Sequence, residues 1–520
     1  MKLILVAITI IALVNEAKSD PSKIDRRLLS RKTSNIFITF HNGTDYILQH
    51  TRRSRFADRG AKITALRKNL LAHADLSQVK VIDYLQNRAK EQQTKYESLW
   101  ISNQVFVKDA TMDNIKALAD LEDVKSVNLE EVIRLDAKNS DRVSPRAFPA
   151  MVPWGIDKVK ASQAVSLLKA SAVPASPVVV GVIDTGCRQT HETLRDNWVG
   201  KEYGWLDAVS FNPDPIDTTG RGTHVTGTLC GKGGIGVYPD AKWMACRACD
   251  SNGCTGLDLI NCASFMFCPW NANGNFDCSR APVIINNSWS LGRNSQWFDP
   301  IIAIWISADI VPIFAIGDTG PGCFTTESPG DNVDAIGVGS TDMNDRLSTS
   351  SSVGPGITGA FKPDVSAPGV GIQSASYLGD DLYRTVSGTG MAAAHVSGLI
   401  AILRAYNPSL TNADVANYLR LGADTNVVST GQVCGGVPDT SFPNDRFGSG
   451  RINVYNSLQR LIGSVPFKCM TAGTYANGGD CHKYYRCVMI KGKLYTYDFT
   501  CPAGSYFNTD TRKCTLGNCP

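Results

Sequence analysis

The stretch Pro177-Val-Val-Val-Gly-Val-Ile-Asp184 decides the fold class of this chain. It is apolar almost without interruption up to Asp184, and such runs are typical of strands that are covered on both faces of a parallel sheet. Apolar runs at 311–317 and 333–338 repeat the pattern. The middle of the chain is therefore predicted to contain a buried parallel sheet.

Helical patterns follow these strands and complete the prediction. Residues 390–407 and 412–421 have the spacing of crossover helices. We therefore predict an α/β domain with a doubly wound parallel sheet over residues 149–463. Since the chain has 520 residues, which exceeds what one core supports, further domains are expected on either side.

Composition and charge exclude several classes of protein. The apolar fraction of 43% and the charged fraction of 19% are those of an ordinary globular protein, which argues against extensive disorder. The formal net charge of +4 comes from mixed signs, without a basic run or interleaved aromatic residues. A nucleic-acid partner is therefore not expected.

The amino terminus predicts export. Lys2 precedes an apolar run at 3–14, and the small residues Ala17 and Ser19 suit signal-peptide cleavage after Ser19. Because this run is too short to span a bilayer, we interpret residues 1–19 as a removed signal peptide, with a membrane anchor as the alternative. No later stretch has the length of a spanning helix, so we predict a secreted, extracellular protein with no membrane association after signal removal.

The cysteines agree with an oxidising compartment. There are sixteen, with none before Cys187. Export favours disulfides in such a set, and the alternative is thiolate zinc binding. Cys246-x2-Cys249 is the closest candidate for zinc, but it lacks a well-spaced second pair. We predict disulfides and no metal ligands.

Residues 35–136 predict a small α+β unit. Strands are expected at 35–40, 101–107 and 125–135, with helices at 63–85 and 111–121. The polar, proline-bearing residues 137–150 predict an exposed linker and cleavage zone.

Five short segments of the middle domain carry chemistry. They are Asp184-Thr-Gly186, Gly220-Arg-Gly-Thr-His-Val-Thr-Gly-Thr228, Asn286-Asn-Ser-Trp289, Lys362-Pro-Asp-Val-Ser-Ala-Pro-Gly369 and Ser387-Gly-Thr-Gly-Met-Ala-Ala-Ala-His-Val-Ser-Gly398. They resemble, in the same order, the motifs of subtilisin-like (S8) serine peptidases. The last resembles the family pattern Gly-Thr-Ser-Met-Ala-x-Pro-His-Val-x-Gly.

The resemblance implies a catalytic triad with one member missing. A serine hydroxyl attacks only when an imidazole accepts its proton and a carboxylate orients that imidazole. The motifs assign Asp184 as the orienting carboxylate and His224 as the general base. Gly390 stands at the position of the nucleophile and has no side chain. Ser387, Thr389 and Ser397 are not expected to replace it.

A second departure lies at the oxyanion position. Ile316-Gly-Asp-Thr-Gly-Pro-Gly-Cys323 resembles the family segment Ala-Gly-Asn-x-Gly-Pro-Gly-Cys, so Asp318 replaces an amide donor. An ionised carboxylate only accepts hydrogen bonds. Convertase-type relatives carry Asp here and are active, so this change alone is not decisive.

The groove wall is predicted to bind peptides. In the family, a Ser-x-Gly stretch pairs with an extended substrate, and Ser288, Trp289 and Ser290 occupy that place. Trp289 is expected to cover a subsite, and Ser290 is expected to narrow the approach of a peptide backbone. The alternative is a relic groove without a ligand.

The amino-terminal unit resembles the inhibitor-type prodomain of the same family, a ferredoxin-like α+β fold. Residues 20–148 are assigned to this prodomain and its linker, which makes the chain's own prodomain a partner of the groove. Either it stays attached and blocks the groove, or another protease cuts near Arg142 or Arg146. The sequence favours the second.

The last segment, 466–520, predicts a small disulfide-rich β domain. Its cysteines are Cys469, Cys481, Cys487, Cys501, Cys514 and Cys519. Their spacing resembles the peritrophin-type (type 2) chitin-binding domain, which implies the pairs Cys469–Cys487, Cys481–Cys519 and Cys501–Cys514.

An aromatic face in this segment is the candidate chitin contact. Tyr495, Tyr497 and Phe499 alternate along a predicted strand and so share one face, where rings can stack on sugars. The alternative is that they pack the small core.

The sequence therefore predicts a secreted subtilisin-like homologue without peptidase activity, tethered to chitin. One alternative is an active endopeptidase at a chitinous matrix. The other is a chitin-binding matrix protein whose function lies in residues 466–520. No cofactor is predicted, and the sequence does not commit to structural calcium.

Overall fold

The computed structural model describes residues 20–92, 94–133, 135, 142–144, 152–171, 173–464, 472–477, 480–490, 493–509 and 511–519. The elements up to residue 130 are β1 (Thr33–Phe40), α1 (Asp45–Arg53), α2 (Arg59–Ser77), α3 (Val79–Gln92), β2 (Tyr96–Leu99), β3 (Gln104–Thr111), α4 (Met112–Ala119) and β4 (Val124–Leu129). The predicted signal peptide, 1–19, lies outside the described residues.

One compact unit comprises residues up to Thr44 together with Leu70–Glu130. Its strands form an antiparallel sheet of order β2-β3-β1-β4, which has the strand order of a ferredoxin-like fold. Alternate residues of β1, such as Ile36 and Ile38, are fully buried against helices α3 and α4. The α+β prediction for this unit is confirmed.

The helix predicted over 63–85 is instead two helices, α2 and α3. They part at Gln78, whose side-chain amide donates to Asn103 Oδ1 at 3.1 Å and to the carbonyl of Gln104 at 3.2 Å. This long-range anchoring competes with a continuous helix, and helical periodicity alone does not reveal it.

The remaining elements belong to the second unit, which comprises Asp45–Asn69 and the chain from Glu131 onward. They are β5 (Val132–Ile133), β6 (Arg142–Ser144), α5 (Trp154–Lys158), α6 (Ala161–Ala170), β7 (Val179–Asp184), β8 (Trp205–Asp207), α7 (Arg221–Cys230), β9 (Lys242–Arg247), β10 (Cys249–Asp250), β11 (Gly253–Thr255), α8 (Gly256–Phe267), β12 (Ile284–Asn287), α9 (Asp299–Ser307), β13 (Val311–Ala315), β14 (Ile336–Thr341), β15 (Val365–Pro368), β16 (Ile372–Ala375), β17 (Tyr383–Val386), α10 (Thr389–Tyr406), α11 (Asn412–Gly422), β18 (Val433–Cys434), β19 (Val437–Pro438), α12 (Val454–Ser464), β20 (Gly473–Ala476), β21 (Lys483–Ile490), β22 (Lys493–Thr500), β23 (Ser505–Asn508) and β24 (Lys513–Leu516).

A seven-stranded parallel sheet of order β15-β14-β13-β12-β7-β9-β8 forms the core of this unit. The strand predicted at 177–184 is β7, near its centre. Helix α10 is buried along its whole length, because it is apolar on all sides. The doubly wound α/β prediction is confirmed, although β14 begins at Ile336, later than the predicted strand.

Two short strands after the first unit add to sheet edges of the second. Strand β5 pairs antiparallel with β11, and β6 pairs antiparallel with β17. Residues 142–144 of the predicted linker thus form an edge strand paired with β17, and the expectation that 137–150 is an exposed cleavage zone stays a prediction. The other residues of that range lie outside the described part of the chain.

The carboxyl-terminal module consists of a three-stranded sheet, β20-β21-β22, and the hairpin β23-β24. Disulfides Cys481–Cys519 and Cys501–Cys514 confirm two of the implied pairs. Cys469 lies outside the described residues, so its pairing with Cys487 stays a prediction. None of the described helices combines the length and apolar character needed to span a bilayer.

The α/β domain has four disulfides among its described residues. They are Cys246–Cys262, Cys249–Cys254, Cys268–Cys278 and Cys323–Cys434. Both cysteines of Cys246-x2-Cys249 are therefore consumed by separate disulfides, which disfavours zinc binding there. Cys187 and Cys230 are buried free thiols, so disulfide formation does not extend to all sixteen cysteines.

Alkylation is expected to leave Cys187 and Cys230 unmodified in the native protein and to modify both after denaturation. Burial raises the pKa of both thiols, which suppresses the reactive thiolate. Mass spectrometry after iodoacetamide treatment at pH 8, with and without guanidinium, measures this. Modification of either cysteine in the folded protein, at the rate seen for an unfolded control, would contradict the assignment.

Candidate functional site

A groove lies at the carboxyl ends of the central parallel strands. Strand β7 ends at Asp184, β12 leads into Ser288 and β13 leads towards Asp318. The chain leaves β7 towards β9 on one side and later returns as β12 on the other, so this is the topological switch point at which such sheets bind ligands. A cavity of about 230 Å³ in the groove is lined by residues that follow β12 and β13, including Ser288 and Asp318, and by Arg221, which is bonded to Asp184 at the end of β7.

Asp184 is bound to arginine, not to histidine. Its Oδ1 accepts from the backbone N–H of Thr185 at 2.8 Å and from Arg221 Nε at 2.9 Å. The Asp184 side chain is 1% exposed. Burial raises the pKa of Asp184, and the charge and hydrogen bond of Arg221 oppose that effect. The guanidinium therefore stabilises the buried carboxylate.

His224 is turned away from Asp184, so the prediction that Asp184 orients His224 as a general base is wrong. His224 Nε2 lies 2.8 Å from the carbonyl oxygen of Ile372, to which it donates. Its Nδ1 has no hydrogen-bond partner within the described part of the chain, and the ring is fully buried. Burial lowers the pKa of His224 to about 3, so the imidazole is neutral and structural.

Arg221 is the functional position that the sequence reasoning missed. It begins α7, lines the groove cavity and lies three residues before His224. A guanidinium is permanently charged and has no acceptor atom, so it cannot take a proton from a nucleophile. The signal in the sequence was a long cationic side chain between Gly220 and Gly222, next to the histidine that attracted the assignment.

Gly390 is packed against Ser288. A Cβ at position 390 would lie 2.9 Å from Ser288 Cβ and 3.1 Å from the Ser288 carbonyl oxygen, closer than ordinary contacts. Ser288 Oγ in turn donates to the Gly390 carbonyl at 2.8 Å. A side chain at position 390 would therefore require Ser288 to shift.

Neighbouring hydroxyls are used elsewhere. Thr389 Oγ1 donates to Asp318 Oδ2 at 3.0 Å, and Ser397 Oγ donates to Asn286 Oδ1 at 2.8 Å. Ser387 Oγ accepts from the Gly371 N–H at 2.9 Å. None of these contacts is with Arg221 or His224, so none forms a nucleophile–base pair.

Asp318 caps the amino terminus of α10. Its carboxylate accepts from the Thr389 backbone N–H at 3.1 Å and from Ser350 Oγ at 3.2 Å. Burial raises the pKa of Asp318, whereas the hydrogen bonds from Thr389 lower it. The helix amino terminus favours the negative charge. An acceptor thus occupies the oxyanion position predicted from the sequence.

The predicted groove wall is only partly as expected. Trp289 is 2% exposed, and its ring packs edge-to-face on Phe298 and Phe314 at 5.3 Å. Trp289 nevertheless lines the groove cavity, so the expectation that its ring covers a subsite stays a prediction. Ser290 Oγ donates to Glu327 at 2.5 Å, and Glu327, which the sequence analysis did not single out, lines the cavity.

The chain's own backbone occupies an edge of the groove. Strand β5 pairs with β11, and Ile133 and Leu135 line the cavity beside Arg221. This arrangement is β-augmentation, the addition of an extended segment to an open strand edge. The edge of β11 is therefore paired with extended backbone of the same chain.

Of the three aromatic residues proposed to contact chitin, the structure describes the side chain of Phe499. Phe499 stacks on Tyr484 with ring centroids 5.3 Å apart, and Tyr484 stacks on Phe507 at 4.9 Å. Phe499 is 40% exposed, so one part of this aromatic stack reaches solvent. The backbones of Tyr495 and Tyr497 lie in β22 as predicted, but their side chains fall outside the description.

Comparisons with known proteins agree with this architecture. The model of the Subtilase family (Peptidase S8) matches residues 175–450, and that of the Chitin binding Peritrophin-A domain matches residues 469–518. Bacillopeptidase F of Bacillus subtilis (strain 168) is 30% identical over 427 residues, which cover 77% of this chain but only 29% of that protein.

Shorter relatives are covered more fully. M-protease of Shouchella clausii (strain KSM-K16) is 28% identical over 320 residues, which cover 60% of this chain and 75% of that protein. Subtilisin Savinase of Lederbergia lenta is 30% identical over 290 residues, which cover 54% of this chain and 96% of that protein.

Replacing His224 by Gln is expected to reduce the loss of stability in acid. Because burial depresses the pKa of His224 to about 3, its contribution is complete above the unfolded value of about 6.5 and is lost as the pH falls towards 3. Gln keeps a donor for Ile372 and does not titrate. Melting temperatures between pH 7 and pH 4 measure this, with exposed His50→Gln as control. Equal acid sensitivity of H224Q and wild type would refute the role.

Proposed function

Because this chain belongs to the subtilase family, we propose that it is a secreted homologue without peptidase activity, held at chitin by its carboxyl-terminal module. One observation carries the proposal: Arg221, and not an imidazole, is bonded to Asp184 in the groove that contains Gly390.

Two requirements of acyl transfer fail independently in this groove, and a third is altered. The nucleophile must supply an oxygen, and Gly390 has none. The base must accept a proton, and Arg221 has no acceptor. The oxyanion site must donate hydrogen bonds, whereas Asp318 already accepts the Thr389 N–H. In subtilisin, loss of the nucleophile alone costs about 10⁶ in rate, against about 10² to 10³ for an oxyanion donor.

The alternative of an active endopeptidase is disfavoured by how these positions fit one another. If Gly390 were an isolated change in an active enzyme, the base and its orienting carboxylate would still be arranged for catalysis. Here Arg221 neutralises Asp184, Ser288 packs into the space beside Gly390 and Asp318 caps α10. These contacts support a groove that has been rebuilt without catalysis.

Retention of peptide is the function that the groove can still perform. Two strand edges, β11 and β17, accept extended backbone, and the chain's own β5 and β6 are paired with them. We regard this segment as the resident ligand of the groove. A competing peptide must displace it, so the attached prodomain regulates access.

Attachment to chitin rests on the carboxyl-terminal module. Residues 469–518 match the Peritrophin-A model, and the described disulfides Cys481–Cys519 and Cys501–Cys514 support its fold. The exposed part of Phe499 supports the proposed aromatic contact with sugar.

The purified protein is expected to show no labelling by a fluorophosphonate probe and no casein hydrolysis. The variant Gly390→Ser is expected to remain unlabelled, because Arg221 cannot activate the new hydroxyl and Ser288 crowds it. Gel fluorescence, with an active subtilisin as positive control, measures labelling. Stoichiometric labelling of the wild-type protein would overturn the proposal.

The secreted chain is expected to remain covalently intact from Asp20 onward. Without a nucleophile it cannot cut itself, and the pairing of β6 with β17 shields the bonds next to Arg142. Intact mass after expression in a secreting host measures this. Brief tryptic digestion then compares cleavage after Arg142 with cleavage after the exposed Arg31. Equally fast cleavage at both sites, or a secreted chain that begins near residue 146, would show that the segment does not stay in the groove.

A further inference from the structure

A second cavity, of about 650 Å³, lies between two walls: helices α6 and α12 form one, and the carboxyl-terminal module forms the other. It shares no lining residue with the groove cavity. Both walls belong to the same compact unit. Its volume is in the range of about 300 to 1,000 Å³ that is usual for small-ligand sites. It is also larger than the 230 Å³ cavity of the groove.

Each wall presents amide groups and one tyrosine ring. Helix α6 contributes Gln163, and α12 contributes Tyr455 and Gln459. Facing them, the module contributes Tyr506 from β23 and the amide side chains of Asn477 and Asn508, which follow β20 and end β23.

Several of these polar groups have no hydrogen-bond partner in the part of the chain that the structure describes. Among the described residues, the side chains of Gln163 and Gln459 and the hydroxyl of Tyr506 make no hydrogen bond, although Gln459 and Tyr506 are half-buried. Half-buried groups without partners gain from a ligand that offers both donors and acceptors.

The charge of the lining restricts the ligand class. Among the described residues that line the cavity, Lys160 is the only charged one. One lysine does not support binding of a polyanion, and these residues include no carboxylate that would select a cationic peptide. The lining therefore suits a neutral ligand with many hydroxyl and amide groups and with apolar faces for tyrosine rings.

From this chemistry we infer that the cleft between α6, α12 and the module binds an N-acetylhexosamine oligosaccharide. The inference rests on the proposed attachment to chitin and specifies where the sugar chain is held. It assigns part of the site to the α/β domain, outside the matched Peritrophin-A segment.

The module side of the cleft is held by its own contacts. Asn477 Nδ2 donates to the hydroxyl of Tyr485 at 2.9 Å. Cys481, joined to Cys519, lies in the same wall. A sugar chain in the cleft would therefore contact both domains at once.

The test uses the full chain and the hexamer of β-1,4-linked N-acetylglucosamine. The double variant Gln163→Ala/Gln459→Ala is expected to bind the hexamer about tenfold more weakly in calorimetry, because each net hydrogen bond changes affinity by a few-fold to tenfold. The matched control is Gln296→Ala, an exposed glutamine outside the cleft, which is expected to bind like wild type.

A second variant keeps the inference testable if the double variant misfolds. Ser166→Arg places a long side chain in the cleft from the exposed face of α6 and is expected to block the hexamer in the same way. If either variant folds and binds the hexamer as tightly as the wild type does, the assignment of the sugar site to this cleft is wrong. The proposed attachment to chitin would still stand in that case, because the wild type binds the hexamer. If the wild type binds neither the hexamer nor chitin beads, both the attachment and the assignment of the cleft are wrong.

Discussion

The ion pair between Asp184 and Arg221 is the constraint on which the groove depends. A carboxylate at the end of a central strand is almost fully removed from water, and an unpaired buried charge costs several kcal/mol, on the order of 3 to 5. The guanidinium supplies the partner in a fixed geometry. The guanidinium of Arg221 stays protonated at all accessible pH values. The pair therefore stabilises the fold and cannot transfer a proton. His224 instead donates a hydrogen bond from Nε2 to the backbone carbonyl of Ile372.

On the wall formed by the amino terminus of α10, polar side chains likewise serve the packing of the fold. Helix α10 is buried throughout, so its first N–H groups need acceptors that water cannot supply. Asp318 accepts from Thr389 at this end and is favoured there by the helix dipole. Ser288 fills the space beside Gly390 and bonds to its carbonyl. The site is thus continuous with the core, although Asp184 Oδ2, Arg221 Nη2 and Trp289 Nε1 are buried without a hydrogen-bond partner among the described residues.

The proposed binding surfaces depend on backbone edges and on amide side chains, whereas catalysis depends on one reactive atom. Strand edges β11 and β17 can pair with any extended chain, and the chain's own β5 and β6 use them. A module joined to the same unit adds a second, sugar-directed surface. Under the proposed function, these features belong to a molecule that holds peptide and polysaccharide without cutting the peptide.

The sequence by itself determined the features that depend on local pattern. Unbroken apolar runs specified the parallel sheet, cysteine spacing specified the module, and a missing side chain at Gly390 is visible without coordinates. Only the tertiary structure decided where side chains point. Arg221 and His224 lie one turn apart on α7, and the choice between them depends on Asp184 and Ile372, which come from other strands. Trp289 faces the core because Phe298 and Phe314 surround it, and Gln78 divides a helix because Asn103 lies nearby. Each of these outcomes is set by contacts between residues distant in sequence, which periodicity and spacing do not contain.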